Sequence, residues 1–375
     1  MSRSHPFLFA GATFGALGAA LPALADVPRV AVDIAPVHSL VARVMDGVGT
    51  PNLVIPSGAS PHEYSLRPSE AAALQEADIV FWVGEDLTPW LESAVGTLAE
   101  GADVTTLLEA PGVSLLDFRE DALFEAHDHG DHDDHGHGEH DHDDHDHGED
   151  AAKEDHGDDH DHAGGDSHDH DHAEEAAAED HHDHGHDEEA AHDDHGHGDH
   201  AGHDHGAHDP HAWLSPDNAS TWLNTIAAEL SAADPQNAST YFANAAAGIE
   251  EIATLRTEIE ATLAPVREGR FIVFHDAYQY FEAAFDIPAA GAISLGDAAE
   301  PSPARIAEIQ DRVRGEGIDC VLAEPQYNPA MVQTVLDGTD AETGVLDPLG
   351  SDLEPGAALY PQLLRNLADT LAGCL

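Results

Sequence analysis

The sequence predicts an α/β protein of two lobes, each with a mainly parallel sheet flanked by helices, joined by one long bridging helix. Short β-branched runs alternate with helical stretches on both sides of the chain's middle, which arranges β-α-β units around parallel strands. A long helical pattern follows Asp234-Pro235 and runs to about Leu263 before Pro265 stops it. At 1.5 Å per residue it spans about 43 Å, longer than a small domain is wide, so it is expected to bridge two domains. Between Glu125 and Asp209 there is no Val, Ile, Leu, Phe, Tyr or Trp. That stretch has no apolar surface to offset roughly 1–2 kcal/mol of backbone entropy per ordered residue, and is read as a disordered insertion.

In chain order, residues 1–25 read as a secretory signal. Arg3 supplies positive charge, an apolar run extends from Phe7 to Leu24, and Ala23-Leu24-Ala25 is a small-x-small cleavage site before Asp26. A membrane anchor is the competing reading, but several Gly and Pro22 break the run, and no later segment has the 18 or more apolar residues of a spanning helix. Export to the periplasm is expected. The first lobe, 26–234, carries strands expected at Arg29 to Ile34, Asp78 to Val83 and Val104 to Leu107. Its helices are expected at Pro36 to Met45, Ser69 to Glu76 and Trp90 to Leu98, with the insertion at 127–208. Ser215 before Pro216 is a strong helix start, Ser capping and Pro at the first helical position. The bridging helix is placed at 235–265. The second lobe, 266–375, repeats the alternation, with strands at Arg270 to Phe274, Ile287 to Ile293 and Asp319 to Ala323. Helices are expected at Ala277 to Phe285, Ser302 to Arg314, Pro329 to Leu336 and Ala357 to Leu371.

About half of the formal charge of -61 belongs to the insertion, which holds 31 of the 74 acids. Outside it the acids still outnumber the bases, which argues against nucleic-acid binding, a function of clustered Lys and Arg. Cations are the natural partners, concentrated by a negative field. The two cysteines, Cys320 and Cys374, would sit in an oxidising compartment after export, so a disulfide is expected. The alternative, a metal-ligating pair, lacks close spacing.

The insertion holds 26 of the 31 histidines, with carboxylates between nearly every pair. Imidazole and carboxylate both ligate borderline divalent metals, so zinc, nickel or copper are the first suspects. Four histidines remain outside it and the signal: His38, His62, His211 and His275. For each alone, a polar residue satisfied by a backbone partner is the ordinary explanation. His38 keeps it, lying inside a helical pattern. The other three stand on loops or at a strand end, where α/β proteins present ligands to a crevice. Three neutral imidazoles could converge on one cation between the lobes. Asp347, in Leu346-Asp347-Pro348-Leu349-Gly350, is placed for a fourth, oxygen ligand, or is simply an Asp-Pro turn residue.

Four ordered motifs now meet a known pattern: Gly58-Ala59-Ser60-Pro61-His62-Glu63-Tyr64, Asp209-Pro210-His211-Ala212-Trp213-Leu214-Ser215-Pro216, Phe274-His275-Asp276-Ala277-Tyr278 and Leu346-Asp347-Pro348-Leu349-Gly350. Together they resemble the metal-binding solute receptors that serve ABC transporters, from about residue 28 to the end. Within that family they are most similar to the zinc receptors of high-affinity uptake systems, which carry a His-rich acidic loop between the first two motifs and a disulfide in the C-terminal domain. The resemblance implies His62, His211 and His275 as zinc ligands, since manganese receptors tend to carry a carboxylate at the third position. Some zinc receptors use an acid just before the first His, where this chain has Pro61, which leaves Asp347 or water as the fourth ligand. Glu63 is expected to face solvent or a ligand's far side. Delivery to a membrane permease driven by a cytoplasmic ATPase is also implied, by a receptor that is a monomer and not an enzyme.

Two other function classes compete. A zinc hydrolase also uses three protein ligands and an open position, but the chain has no His-Glu-x-x-His and no Gly-x-Ser-x-Gly. A metal buffer acting through the tract alone leaves the three dispersed histidines without a purpose. The tract is expected to bind additional zinc ions weakly and to concentrate them near the tight site.

Overall fold

The β-branched runs Val30–Val32 and Ile79–Trp82 form the centre of a first parallel sheet, flanked by the short strand Asn52–Leu53 and by Asp103–Thr106. In a computed structural model describing residues 27–119, 124, 208–294 and 301–375, these strands, β1 to β4, lie in the order β2-β1-β3-β4. Helices α1 (Ala35–Val44), α2 (Pro68–Gln75) and α3 (Pro89–Leu98) connect them. The signal at 1–25 and the insertion at 127–208, apart from His208, lie outside the described residues.

After α4 (Pro216–Ala233) and α5 (Ala238–Leu263), a second sheet repeats the first. Its strands β5 (Phe271–His275), β6 (Gly291–Ser294), β7 (Cys320–Ala323) and β8 (Glu342–Val345) lie in the order β6-β5-β7-β8, all parallel. They are connected by α6 (Gln279–Phe285), α7 (Pro303–Glu316) and α8 (Pro329–Leu336), before the terminal α9 (Leu359–Cys374). The two sheets share a detail as well as a topology. The Arg29 amide donates to Asp78 Oδ2 at 2.8 Å, and the Arg270 amide to Asp319 Oδ2 at 2.9 Å, each pair 49 residues apart.

Helix α5 buries Tyr241, Ala245, Gly248, Ile252, Leu255, Ile259 and Leu263, a stripe at spacings of three and four that forms one helix face. That face packs on α1 and α4 from the first half and on α9 from the second, within one apolar core. Gly248 is required there: a Cβ would stand 3.0 Å from Leu223 Cδ1 and 3.4 Å from Arg43 Cγ. Ser215 caps α4 as expected, its hydroxyl accepting from the Asn218 amide.

The elements differ from expectation at three places. Helix α5 starts at Ala238, because residues 234–237 form an entry turn in which the Asp234 carboxylate accepts from Asn237 Nδ2 and Tyr241 Oη. Strand β6 starts at Gly291, not Ile287, because Asp286 ends α6 in the left-handed region (φ 53°) and the Ile287 and Ala289 amides are bonded to Glu282. The edge strands β2 and β8 carry no alternation that marks them. Among the described residues, no helix is long and apolar enough to cross a membrane. Cys320 and Cys374 form a disulfide with a Cα–Cα distance of 5.8 Å, tying the last residue of α9 to the first of β7.

Each sheet reverses its strand order beside its first strand, and the crevice opens where ligands usually sit in such folds. In the first sheet it is closed by Asp33, whose buried carboxylate accepts from the Ile34 and Val83 amides at 2.7 Å each. Burial pushes this carboxyl up to about 7, against the pull of those two amides. The folded state therefore holds a proton that the unfolded chain releases, so this group's contribution to stability is full below the ordinary carboxylate range and is lost as pH rises towards 7. The difference in melting temperature between the unsubstituted chain and Asp33→Asn should favour the unsubstituted chain more at about pH 4 than at about pH 8. A difference that stayed flat across that window would contradict this assignment.

Candidate metal centre

The crevice of the second sheet is occupied by His275 and Glu324. His275 is the last residue of β5, and Glu324 directly follows β7. Both are buried; Glu324 Oε1 accepts from the His275 amide at 3.1 Å and lies 2.7 Å from its Nδ1. His211 is held in the same way one segment earlier. It sits before a 3-10 turn, Ala212–Leu214, with its Nδ1 2.7 Å from Asp209 Oδ1, and the same oxygen accepts from its amide. A carboxylate on Nδ1 fixes the N–H at that nitrogen, so Nε2 carries the lone pair and the ring's ligand edge is set by the fold.

His62 is held differently. Its loop turns at Gly58, whose φ of 84° favours a residue without a Cβ. The loop is fastened on both sides of the histidine. Trp90 Nε1 donates to the Pro61 carbonyl at 2.7 Å, and Tyr64 donates its hydroxyl to Glu70, which also caps the start of α2 through the Arg67 amide. Glu63 is exposed.

The three rings meet. Centroids of His62 and His211 are 5.4 Å apart, those of His62 and His275 6.0 Å, and those of His211 and His275 5.3 Å. One nitrogen from each lies within 4.8 Å of the others. Two nitrogens on one tetrahedral zinc stand about 3.3 Å apart, so closure requires each pair to approach by no more than about 1.5 Å. The rings line a small pocket whose walls include the apolar side chains of Pro61, Trp213, Tyr327 and Leu349. Neutral nitrogen donors in such a setting suit a borderline divalent cation.

Among the described residues the close-set ligand group comprises these three histidines. Asp347 is not in it. Its carboxylate accepts from the Leu349 and Ser351 amides and from Gln326 Nε2, so it braces its own Asp-Pro turn. His38 is buried in α1 with Nε2 3.1 Å from the Pro51 carbonyl and is not in that group. The residues that sequence reasoning passed over are Asp209 and Glu324. Asp209 lies inside a quoted motif; Glu324 could have been sought as the acid at the end of a central strand. Asp209→Asn and Glu324→Gln should each weaken divalent-metal binding roughly 10–100-fold, as loss of an outer partner does elsewhere, measured by competition with a chelator. Unchanged affinity in both would show that the carboxylates are dispensable.

Asp276, next to His275 in sequence, and Glu282 form a second buried acid pair. Burial pushes Asp276 up to about 7, with the Arg119 guanidinium opposing, and pushes Glu282 upward against the same guanidinium.

Residues 30–374 match the family model of ZnuA, zinc-uptake complex component A, periplasmic. The high-affinity zinc uptake system protein ZnuA of Brucella abortus (strain 2308) is 43% identical over 346 residues, 92% of this chain and 91% of that protein. The protein of the same name from Paracoccus denitrificans (strain Pd 1222) is 41% identical over 362 residues, 96% of each. A crystal structure of ZnuA superposes with a TM-score of 0.63 at 19% identity, covering 93% of this chain and 99% of that one, and shares the fold. The match over nearly the whole chain places this protein in the ZnuA family of periplasmic zinc-uptake components.

Proposed function

We propose that this protein captures Zn2+ in the cleft between its two halves, through His62, His211 and His275, and delivers it to an ABC-type permease driven by a cytoplasmic ATPase. The observation that carries the reading is the convergence of three imidazoles from three separate segments to within 4.8 Å. Family membership supports zinc as the cargo and the periplasm as the place of work. The residues divide the task by their mounting. His211 and His275 are locked by buried carboxylates and form a fixed pair; His62, on a loop fastened through Pro61 and Tyr64, completes the set. The fourth donor is water or Asp347. Asp347 would have to surrender the hydrogen bonds of its turn, which favours water.

The functional division places the first lobe at 26–234, the bridging helix at 235–265 and the second lobe at 266–375, with residues 1–25 removed on export. The receptor acts as a monomer and has no hydrolytic activity of its own, in keeping with a family of solute receptors. The tract 127–208 binds further zinc ions weakly and raises their concentration near the cleft. Imidazole must be deprotonated to ligate, so this collecting role fades as pH falls below an ordinary imidazole value of about 6.5.

The test is a competition titration with zinc on protein starting at Asp26, with and without 127–208. One tight site should remain in both forms, and only the weak ones should disappear with the tract. Loss of the tight site on deletion would contradict the division of labour; zinc-dependent turnover of ester or peptide substrates would favour the hydrolase reading.

A further inference from the structure

Arg119 belongs by sequence to the first half, yet its guanidinium reaches across to α6 of the second. Nη2 donates to Glu282 Oε2 at 2.7 Å, Nε donates to Gln279 Oε1 at 3.2 Å, and Nη1 stands 3.6 Å from Asp276 Oδ1. Phe124 covers the other side, its ring centroid 4.0 Å from the guanidinium carbon. Glu282 and Asp276 are buried, and two buried carboxylates without a countercharge are strongly unfavourable. Arg119 supplies that charge with a fork that binds several acceptors at once.

The segment bearing Arg119 is also fastened to the ligand set. The Asp209 amide donates to the Leu116 carbonyl at 2.8 Å. Tyr280 Oη donates to the Asp209 carbonyl and accepts from the Leu116 amide. Gln279 Nε2 donates to the Asp117 carbonyl, and Asp117 pairs with His208 in an antiparallel bridge. Asp209 is the residue that orients His211, and Asp276 directly follows His275. One guanidinium therefore ties the segment that positions the first of these histidines to the segment that carries the second.

We propose that Arg119 is a positioning residue for zinc capture: by clamping the 116–119 segment on α6 it sets the spacing of His211 and His275. This rests on the zinc site proposed above. The test uses the chain from Asp26 to Leu375 with Arg119→Ala, Arg119→Lys and Gln279→Ala. Four quantities are read: zinc affinity by competition, the rate of zinc release, the visible spectrum of Co2+ bound in zinc's place, and the melting temperature of the metal-free protein. Arg119→Ala should weaken zinc binding at least about tenfold, speed its release and alter the cobalt spectrum, as loss of an outer-shell support does. Arg119→Lys should recover part of the affinity, since it keeps the charge and loses the fork. Gln279→Ala should show a smaller loss.

If Arg119→Ala lowers the melting temperature but leaves zinc affinity and the cobalt spectrum unchanged, Arg119 is structural only and the proposal fails. Should that variant not fold, unaltered affinity and spectrum in both Arg119→Lys and Gln279→Ala would overturn it equally. Failure of the zinc site itself is read separately: His275→Ala would then bind zinc as tightly as the unsubstituted chain.

Discussion

Replacing His62, His211 or His275 singly with Ala should weaken zinc binding by more than about a hundredfold, beyond the range that loss of an outer-shell partner produces. The three variants should nevertheless differ in stability, because the imidazoles are mounted differently. His62 lies on a loop that is also held through its neighbours Pro61 and Tyr64, so the loop keeps both of those fastenings when the ring is removed. Removing His211 or His275 leaves the buried carboxylate of Asp209 or Glu324 without its imidazole partner. That should cost about 1.5–3 kcal/mol in the metal-free protein, the range for losing one hydrogen bond to a charged group, while the backbone amide still donates to the same oxygen. Competition titration measures the first effect and denaturant unfolding the second. Equal stability of all three variants would mean that the carboxylates do not depend on the rings they face.

The second large effect is expected from the disulfide. Cys320 and Cys374 are 54 residues apart, and closing such a loop stabilises the folded state by about 4 kcal/mol on the chain-entropy model. The bond pins α9, whose Leu363, Leu364, Leu367 and Leu371 are buried against α5 and the second half. Changing both cysteines to Ala should lower stability by about that amount in urea unfolding. Zinc affinity should hardly change, since Cys320 begins β7 while Glu324 lies just past its other end. A large loss of affinity with unchanged stability would reverse this assignment.

The contrast between what sequence patterns carry and what they omit is visible in particular residues. Short β-branched runs marked six of the eight strands among the described residues, and the stripe from Tyr241 to Leu263 marked α5, because buried segments leave a local record. Strand β2 is two residues long and β8 is a largely exposed edge strand, so neither imposes a hydrophobic period. Three histidines were legible because their motifs are distinctive. Glu324 was not, because it pairs with a residue 49 positions away through the order of the second sheet. Arg119 was less legible still. Nothing local distinguishes a surface Arg beside an acidic tract from one whose guanidinium closes over buried acids of the opposite half. The equivalent spacing of Arg29 with Asp78 and Arg270 with Asp319 does lie in the sequence, but only the shared topology gives it meaning.

On the proposed function, three imidazoles presented by separate segments of one fold hold the zinc ion. Anomalous diffraction at the zinc edge, on crystals of the zinc-loaded protein, tests it most directly. A strong peak is expected about 2.0–2.1 Å from one nitrogen each of His62, His211 and His275, with a single oxygen completing the site. A principal peak bound elsewhere, or one in the cleft that lacks any of the three nitrogens, would contradict it.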